Sequence, residues 1–189
     1  DLASLIQFSS LQQLGLSGCR QISDLTPLAQ LTGLQQLDLN WCWQISDLTP
    51  LTQLSSLQQL NLSWCGEISG LTPLAQLTGL QELDLSGCEK ISDLTQLAPL
   101  IDLQRLDLRG SGIHLSDLAV LQSFPKLKKL ACSFPFPCLP EHSPINQLVY
   151  LQDLQAAALL DAPQELAYVD DRDNDSGVAC LDRILAWQQ

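Results

Sequence analysis

Cysteines at a fixed spacing are the residues of this chain that most readily suggest chemistry. Cys19, Cys42, Cys65 and Cys88 follow one another at intervals of 23 residues. Cysteine thiolates bind zinc and take part in redox reactions, so such an array could be a metal or redox centre. If each 23-residue interval is one coil of a stack, however, the thiols lie in a straight line about 4.8 Å apart, the spacing of neighbouring strands. A line of thiols cannot surround a tetrahedral metal, so we predict a buried, reduced and metal-free row of small apolar side chains.

The sequence lacks the residue patterns that acid–base and metal-dependent catalysis need. The two histidines, His114 and His142, lie in no recognisable triad pattern. A phosphate-binding glycine motif, a nucleophile elbow and a zinc-protease motif are all absent from the sequence. A zinc set could be drawn from Cys132, Cys138, His142 and Cys180, but these spacings match no familiar zinc pattern. We therefore predict that the chain is not an enzyme, with no catalytic residue, cofactor or metal.

One acidic stretch could bind calcium. Asp171, Asp173 and Asp175 place carboxylates at alternate positions, and Asp182 lies at position 12 of the same loop. Calcium prefers several hard oxygen ligands on such a loop. The turn position that requires glycine is Ser176, and position 12 is Asp rather than the longer Glu. We therefore favour a solvated acidic turn, and the calcium site remains the alternative.

The composition indicates a folded domain with a protein partner. The 189 residues are 46% hydrophobic and 16% charged, which supports a buried core. The net charge of −12 argues against nucleic acid and anionic membrane surfaces. No apolar run approaches the roughly 18 residues of a membrane span. We expect a protein partner, no nucleic acid and no membrane insertion.

The cysteine count also bears on the cellular compartment. Seven cysteines, most of them at equivalent positions, differ from the even set of a small secreted disulfide framework. The N-terminus lacks the basic and apolar regions of a signal peptide. We therefore expect a cytoplasmic location, with an extracellular one as the alternative if an export signal has been removed.

An internal repeat organises the chain. Four consecutive units of 23 residues begin at Leu11, Leu34, Leu57 and Leu80. A fifth unit, Leu103 to Lys126, is one residue longer and more divergent, and a partial sixth begins at Leu127. The opening DLASLIQFSS matches the second half of a unit, so we expect the chain to start within a repeat.

Each unit combines two periodicities. Leu14 and Leu16 alternate with polar residues, which predicts a short strand with one buried face. Ile22, Leu25 and Leu28 then recur every three residues, which suits a 3₁₀ turn or short helical segment on the outer side. One unit cannot bury its leucines alone. Stacked units form a continuous core, with the strands aligned as a parallel sheet on the concave face.

The repeat resembles a known family. Its pattern, L-x-x-L-x-L-x-x-C-x-x-I-x-D-L-x-x-L-x-x-L, resembles a leucine-rich repeat, and the stretch ISDLTPLAQLTGLQQLDLS is similar to the repeats of bacterial internalins. Cysteine where internalin repeats normally have Asn, and one more residue before the next Ile, resemble the cysteine-containing subclass. The resemblance covers residues 1 to about 132. It implies an α/β solenoid, a leucine-rich-repeat horseshoe with a parallel concave β-sheet and short 3₁₀ or helical convex segments. It indicates little about function, because the fold serves many partners.

The repeat ends near Ser133. The segment FPFPCLP cannot continue the strand ladder. Ser143 and Pro144 are typical of a helix start, and leucines follow near helical spacing at 148, 151, 154 and 159. We predict a solenoid over 1–133 and, over 134–189, a Pro-rich turn with a helical C-terminal cap whose second helix spans about 177–187.

Side chains that leave the strands on the concave side should form three rows. The first row is Gln13, Gln36, Gln59, Glu82, Arg105, Lys129. The second row is Gly15, Asp38, Asn61, Asp84, Asp107, Ala131. The third row is Ser17, Asn40, Ser63, Ser86, Arg109, Ser133. Their polarity changes from amides to acidic and then basic side chains, which could set the register of a partner. A purely structural surface of the same polarity is the alternative.

Tryptophans are the most distinctive surface residues. Trp41 and Trp64 occupy the same position in adjacent units, where other units have glycine, and Trp43 lies two residues beyond Trp41. Because glycine is accepted there, the core does not require a large side chain. Exposed tryptophans are typical binding hot spots. We predict a binding rim, and the alternative is that the rings only cover the strand-exit turns.

Together these features predict a protein–protein interaction module within a larger bacterial protein. The partner would contact the concave face and the tryptophan rim. One alternative is an extracellular adhesion module resembling internalins. The other is a targeting arm for a catalytic or calcium-regulated C-terminal unit.

Overall fold

A computed structural model describes residues 2–113, 120–121 and 123–132, together with the backbone of 148–150 and 167–169. Six parallel strands pair in chain order: β1 (Gln13–Gly15), β2 (Gln36–Asp38), β3 (Gln59–Asn61), β4 (Glu82–Asp84), β5 (Arg105–Leu108) and β6 (Lys129–Cys132). The register advances by one repeat per strand, from Gln13 opposite Gln36 to Arg105 opposite Lys129. We number coils 1 to 5 from the units that begin at Leu11, Leu34, Leu57, Leu80 and Leu103.

Short 3₁₀ helices return the chain on the side opposite the sheet. They are η1 (Ala3–Gln7), η2 (Thr26–Gln30), η3 (Thr49–Gln53), η4 (Thr72–Gln76) and η5 (Thr95–Leu97). Proline occupies the first turn of η2, η3 and η4, where its missing N–H has no intrahelical acceptor to lose. The three-residue leucine spacing therefore predicted these segments correctly.

At the start of η2, η3 and η5, an aspartate oxygen accepts a hydrogen bond from the N–H of the first helical residue. Asp47 Oδ1 accepts a hydrogen bond of 2.8 Å from the Thr49 N–H, and Asp24 and Asp93 make the equivalent bonds. Coil 3 has Gly70 at this position. There the Gln96 side chain of the next coil reaches back, and its Oε1 accepts a hydrogen bond of 2.6 Å from the Leu71 N–H. A neighbouring coil thus supplies a side-chain acceptor at the start of η4, where it reaches the N–H of the residue before the helix.

The leucines form one continuous core from Leu2 to Leu130. The middle residue of each strand points inward, and Leu37, Leu60 and Leu83 are buried. Leu14 and Leu16 of coil 1 are only partly buried, and Phe8, before coil 1, is 50% exposed. The solenoid architecture predicted from the repeat is confirmed.

The C-terminal region differs from the prediction where it is described. Leu148–Tyr150 is a strand, β7, which pairs antiparallel with β8 (Ala167–Val169), whereas the leucine spacing predicted a helix across residue 148. Val149 and Tyr150, a β-branched and an aromatic residue, favour a strand. The other residues of the predicted cap, including 177–187, lie outside the described part of the chain. Within the described residues, no helix has the length and apolar character needed to cross a bilayer.

Candidate partner-binding surface

The strand register aligns the first and second rows as the sequence predicted. Gln36, Gln59 and Glu82 face one another across β2, β3 and β4, and Asp38, Asn61 and Asp84 do the same one pleat further on. These residues line an open groove that runs along coils 1 to 5. The chain therefore presents a polar concave face about five strands wide, on which an extended partner could lie.

The second row also has a structural role, which the sequence analysis missed. Asp38 Oδ1 accepts a hydrogen bond of 2.9 Å from the Asn40 N–H two residues later, and Asn61, Asp84 and Asp107 make the equivalent bonds. This is an Asx turn, and it guides the chain out of each strand. The signal was the unbroken run of Asp or Asn from coil 2 to coil 5. Part of the polarity of this face therefore serves folding.

The cations of coil 5 contact acidic side chains of the same face. Arg105 lies 3.3 Å from Glu82 in an exposed ion pair. Arg109 makes a two-pronged contact with Asp107, with Nη2 2.6 Å from Oδ2 and Nε 3.0 Å from both carboxylate oxygens. The predicted order of charges is present, but these contacts neutralise part of the gradient within the chain.

Asp84 differs from the other carboxylates of the groove. Its Oδ1 accepts hydrogen bonds from the Ser86 N–H (2.9 Å) and Oγ (2.7 Å). Burial nevertheless raises the pKa of Asp84 above its ordinary value, and the neighbouring Asp107 acts in the same direction. Its negative charge is therefore incompletely solvated at the centre of the groove.

The tryptophan position has an unusual backbone conformation. Trp41 and Trp64 have φ values of 60° and 58°, in the left-handed region, where Gly18, Gly87 and Gly110 of the other coils also lie. Glycine enters this region freely, whereas a side chain with a Cβ is disfavoured there. The glycines are thus explained by backbone geometry, and not only by spare room as the sequence analysis proposed. The two tryptophans are the non-glycine exceptions among the described residues.

The three indoles form a cluster, which we call the tryptophan ladder (Trp41, Trp43, Trp64). Trp41 and Trp64 stack with ring centroids 4.8 Å apart and planes 9° from parallel. Trp43 lies 5.7 Å from Trp41, and the Arg20 guanidinium lies 5.1 Å from the centre of the Trp43 ring. Trp43 and Trp64 are each 47% exposed. The ladder is therefore an ordered aromatic surface beside the ends of β2 and β3.

The Trp64 ring contacts Gly87 on the side away from Trp41. A Cβ on Gly87 would lie 2.6 Å from Cδ2 of Trp64, so the indole packs directly against the glycine backbone. The Trp64 ring is held between Trp41 and Gly87, which leaves its edge exposed to solvent. Stacking and binding are therefore compatible roles for this residue.

Three of the four repeat cysteines are buried as predicted. Cys42, Cys65 and Cys88 are inaccessible, and each thiol donates a hydrogen bond of 3.1–3.2 Å to a carbonyl of the preceding coil. Burial raises the pKa of Cys65 to about 12 and that of Cys88 to about 11. These thiols therefore stay protonated and join adjacent coils.

The prediction was wrong for Cys19, which is exposed. Cys19 lies in coil 1, and the described residues before it include no strand-exit turn with the carbonyl that the other thiols use. Ser111 occupies the equivalent position in coil 5 and bonds to Leu108 O within its own coil, at 2.7 Å. Burial and hydrogen bonding account for the inner cysteines in any redox compartment, so the cytoplasmic location stays a prediction.

The candidate metal residues lie elsewhere. No group of three or more His, Cys, Asp or Glu side chains could hold a metal ion in the described part of the chain. The acidic loop, with Asp171, Asp173, Asp175 and Asp182, lies outside the described residues. The side chains of the zinc candidates, Cys132, Cys138, His142 and Cys180, and of His114 lie outside them as well.

Comparisons with known proteins agree with the repeat architecture. Residues 55–99 match the family model for leucine-rich repeats in two copies. The chain is similar to the structure of an internalin (inlF) of Listeria monocytogenes, with 32% identity and a TM-score of 0.61 over 73% of this chain and 38% of that one. It is also similar to an internalin C2 (inlC2) of the same organism, with 34% identity and a TM-score of 0.54 over 71% of this chain and 56% of that one. The chain thus spans less than two thirds of either internalin. Curated protein sequences give no match.

Proposed function

We propose that this chain, a leucine-rich-repeat protein similar to the Listeria internalins, binds a protein partner along its concave sheet and its tryptophan ladder. Leucine-rich-repeat domains are generally protein–protein interaction modules, whose stacked strands provide an extended concave surface. One observation carries the finer proposal. Two tryptophans, the half-buried Trp41 and the exposed Trp64, occupy left-handed positions that other coils fill with glycine.

The energetics argue against a purely structural role for the ladder. A non-glycine residue in the left-handed region costs about 1–3 kcal/mol. An aromatic pair contributes only about 0.5–1.5 kcal/mol beyond its buried area. The stacking contribution of Trp41 and Trp64 is therefore smaller than the backbone strain of two such residues. Their large, partly exposed rings become favourable when a partner covers them, as in binding hot spots.

The experiment is site-specific photocrosslinking in cells that express the protein. A photoreactive amino acid replaces Gln59, which is exposed on the concave face, or Gln53, which is exposed on η3 of the opposite face. We expect a discrete crosslinked protein from position 59 and none from position 53. Trp41→Gly with Trp64→Gly in the position-59 background should abolish the product. Crosslinking from position 53 alone, or a product that persists without the tryptophans, would contradict the proposal.

A further inference from the structure

The concave face has an uneven distribution of paired and unpaired charge. Glu82 and Asp107 each contact an arginine of coil 5. Asp38 and Asp84 contact no arginine or lysine within ion-pair distance in the described residues. They lie on either side of Asn61 in the second row. The centre of the groove therefore keeps two carboxylates with which no cation of the described residues forms an ion pair, and Arg109 acts on Asp84 only from beyond that distance.

The hydrogen bonds to these carboxylates leave one side of each group available. The Asx-turn bonds of Asp38 and Asp84 all go to Oδ1. Oδ2 of each accepts no hydrogen bond from the part of the chain that the structure describes. Since burial raises the pKa of Asp84, its charge would be stabilised by a cationic donor. Two strand spacings, about 10 Å, separate the two residues along the sheet.

The aromatic part of the surface already contacts a cation of the chain. The Arg20 guanidinium lies 5.1 Å from the centre of the Trp43 ring, within cation–π range. The Asp38 carboxylate bonds to the N–H of Asn40, the residue before Trp41, so the acidic row ends beside the ladder. Carboxylates beside indoles are a surface suited to a guanidinium or ammonium group. The net charge of −12 would attract such a partner over longer distances.

We propose that the partner presents a basic segment, with an arginine or lysine seated over Asn61 between Asp38 and Asp84 and its neighbouring residues against the tryptophan ladder. This inference rests on the proposed function and specifies its partner. The occupant is a cationic polypeptide, because an acidic one would be repelled by the two unpaired carboxylates. The pairs Glu82–Arg105 and Asp107–Arg109 bound this acidic centre on the coil 5 side.

Asparagine substitutions isolate the charge. Asn61 makes the same Asx-turn bond as the two aspartates, with Oδ1 2.9 Å from the Ser63 N–H. Asp38→Asn with Asp84→Asn should therefore keep both turns while removing two negative charges. Asp47→Asn with Asp93→Asn is the matched control, because it removes the same charge from the 3₁₀ face, away from the groove.

The probe is a phage-displayed library of random twelve-residue peptides selected on the wild-type chain, and the selected peptides are then synthesised. We expect peptides whose binding requires the tryptophan pair to be enriched in Arg and Lys. They should lose about tenfold in affinity with Asp38→Asn/Asp84→Asn, the usual effect of removing a charged hydrogen-bond partner. The loss with the control pair should be less than about twofold, because exposed charges contribute little.

Two results overturn the inference in distinguishable ways. Tryptophan-dependent peptides without basic residues, or with unchanged affinity for Asp38→Asn/Asp84→Asn, would overturn the basic segment and leave the proposed function standing. Selected peptides that all bind Trp41→Gly/Trp64→Gly as well as wild type would contradict the proposed binding surface itself, and the inference with it. Thermal melts of each variant confirm that the compared proteins are folded.

Discussion

Coils 2 and 3 differ from coils 4 and 5 in what they place on one shared backbone. All four coils leave the strand through a left-handed residue, which is tryptophan in the first two and glycine in the others. Coils 4 and 5 also pair their concave charges, through Glu82–Arg105 and Asp107–Arg109. Glycine alone is therefore enough to satisfy the left-handed backbone conformation of this turn. Coils 2 and 3 place tryptophan in this turn instead, and we propose on this ground that they are the specialised part of the solenoid.

The largest expected loss of stability comes from a glycine-to-alanine substitution at a position where coil 5 and coil 3 differ in packing. A Cβ on Gly112, in coil 5, would collide with Glu89 O and lie 2.8 Å from Ile91 O of the preceding coil. The equivalent Gly66, in coil 3, has no atom within 4 Å of such a Cβ. Gly112→Ala should lower the free energy of unfolding by about 2 kcal/mol, because backbone must move to accept the methyl group. Gly66→Ala should change it by less than about 0.5 kcal/mol.

Urea denaturation of both variants measures this difference. Equal losses for Gly112→Ala and Gly66→Ala would show that coils 4 and 5 are not packed more tightly than coils 2 and 3 at this position.

The next effect tests the border between the two regions. Gly87→Ala and Gly110→Ala both place a Cβ in the left-handed region, which costs about 1 kcal/mol each. Gly87→Ala must also displace the Trp64 ring, whereas a Cβ on Gly110 meets only ordinary contacts at 3.6 Å and beyond. Gly87→Ala should therefore be about 1 kcal/mol more destabilising, the usual contribution of an aromatic stack.

The measurement combines denaturation with tryptophan fluorescence. The emission of Gly87→Ala should shift to longer wavelength, while that of Gly110→Ala stays at the wild-type value. An unchanged spectrum for Gly87→Ala would mean that Trp64 does not pack on coil 4.

The smallest expected effect concerns a feature that the two regions share. Hydrogen bonds from Thr49 and Thr95 lower the pKa of Asp47 and of Asp93 from the ordinary 3.8. A carboxyl group whose folded pKa is lowered stabilises the fold above its unfolded pKa, and this stabilisation is lost as pH falls through the folded pKa. Asp47→Asn and Asp93→Asn should each reduce the melting temperature slightly at neutral pH, and the difference from wild type should vanish below the folded pKa.

Melting curves between pH 2 and pH 7 measure this effect. Similar losses of melting temperature for Asp47→Asn in coil 2 and Asp93→Asn in coil 4 would show that the two regions do not differ on the 3₁₀ side. Their difference would then be confined to the tryptophan ladder and the concave charges. Losses that persist unchanged at the lowest pH would show that the two carboxylates do not act through their charge.

The sequence predicted the parts of the molecule that depend on periodicity. The 23-residue spacing correctly gave the register of Gln36 with Gln59 and the burial of Cys42. It missed the exposure of Cys19, because burial there depends on a preceding coil rather than on residue type. Leucine spacing predicted a helix where Leu148–Tyr150 is a strand, since short apolar stretches are ambiguous between the two.

The sequence located the residues of the candidate site, but it did not show the backbone and side-chain geometry that explains why they occur there. Recurrence of Trp41 and Trp64 opposite glycines located the ladder, yet only the backbone dihedral angles show that glycine is required there by a left-handed turn. Likewise, the second row was recognised as polar, whereas its Asx turns and the arginine pairs of coil 5 depend on side-chain geometry.

The most direct test of the central claim is the double variant Trp41→Gly/Trp64→Gly, studied by thermal melting and by titration with the protein that crosslinks to position 59. We expect a melting temperature at or near the wild-type value, because relief of two left-handed side chains offsets the lost stack. We expect a loss of affinity of roughly 30-fold or more, equivalent to about 2 kcal/mol for hot-spot tryptophans. A large fall in melting temperature with unchanged affinity would show that the tryptophans are structural and not part of the binding surface.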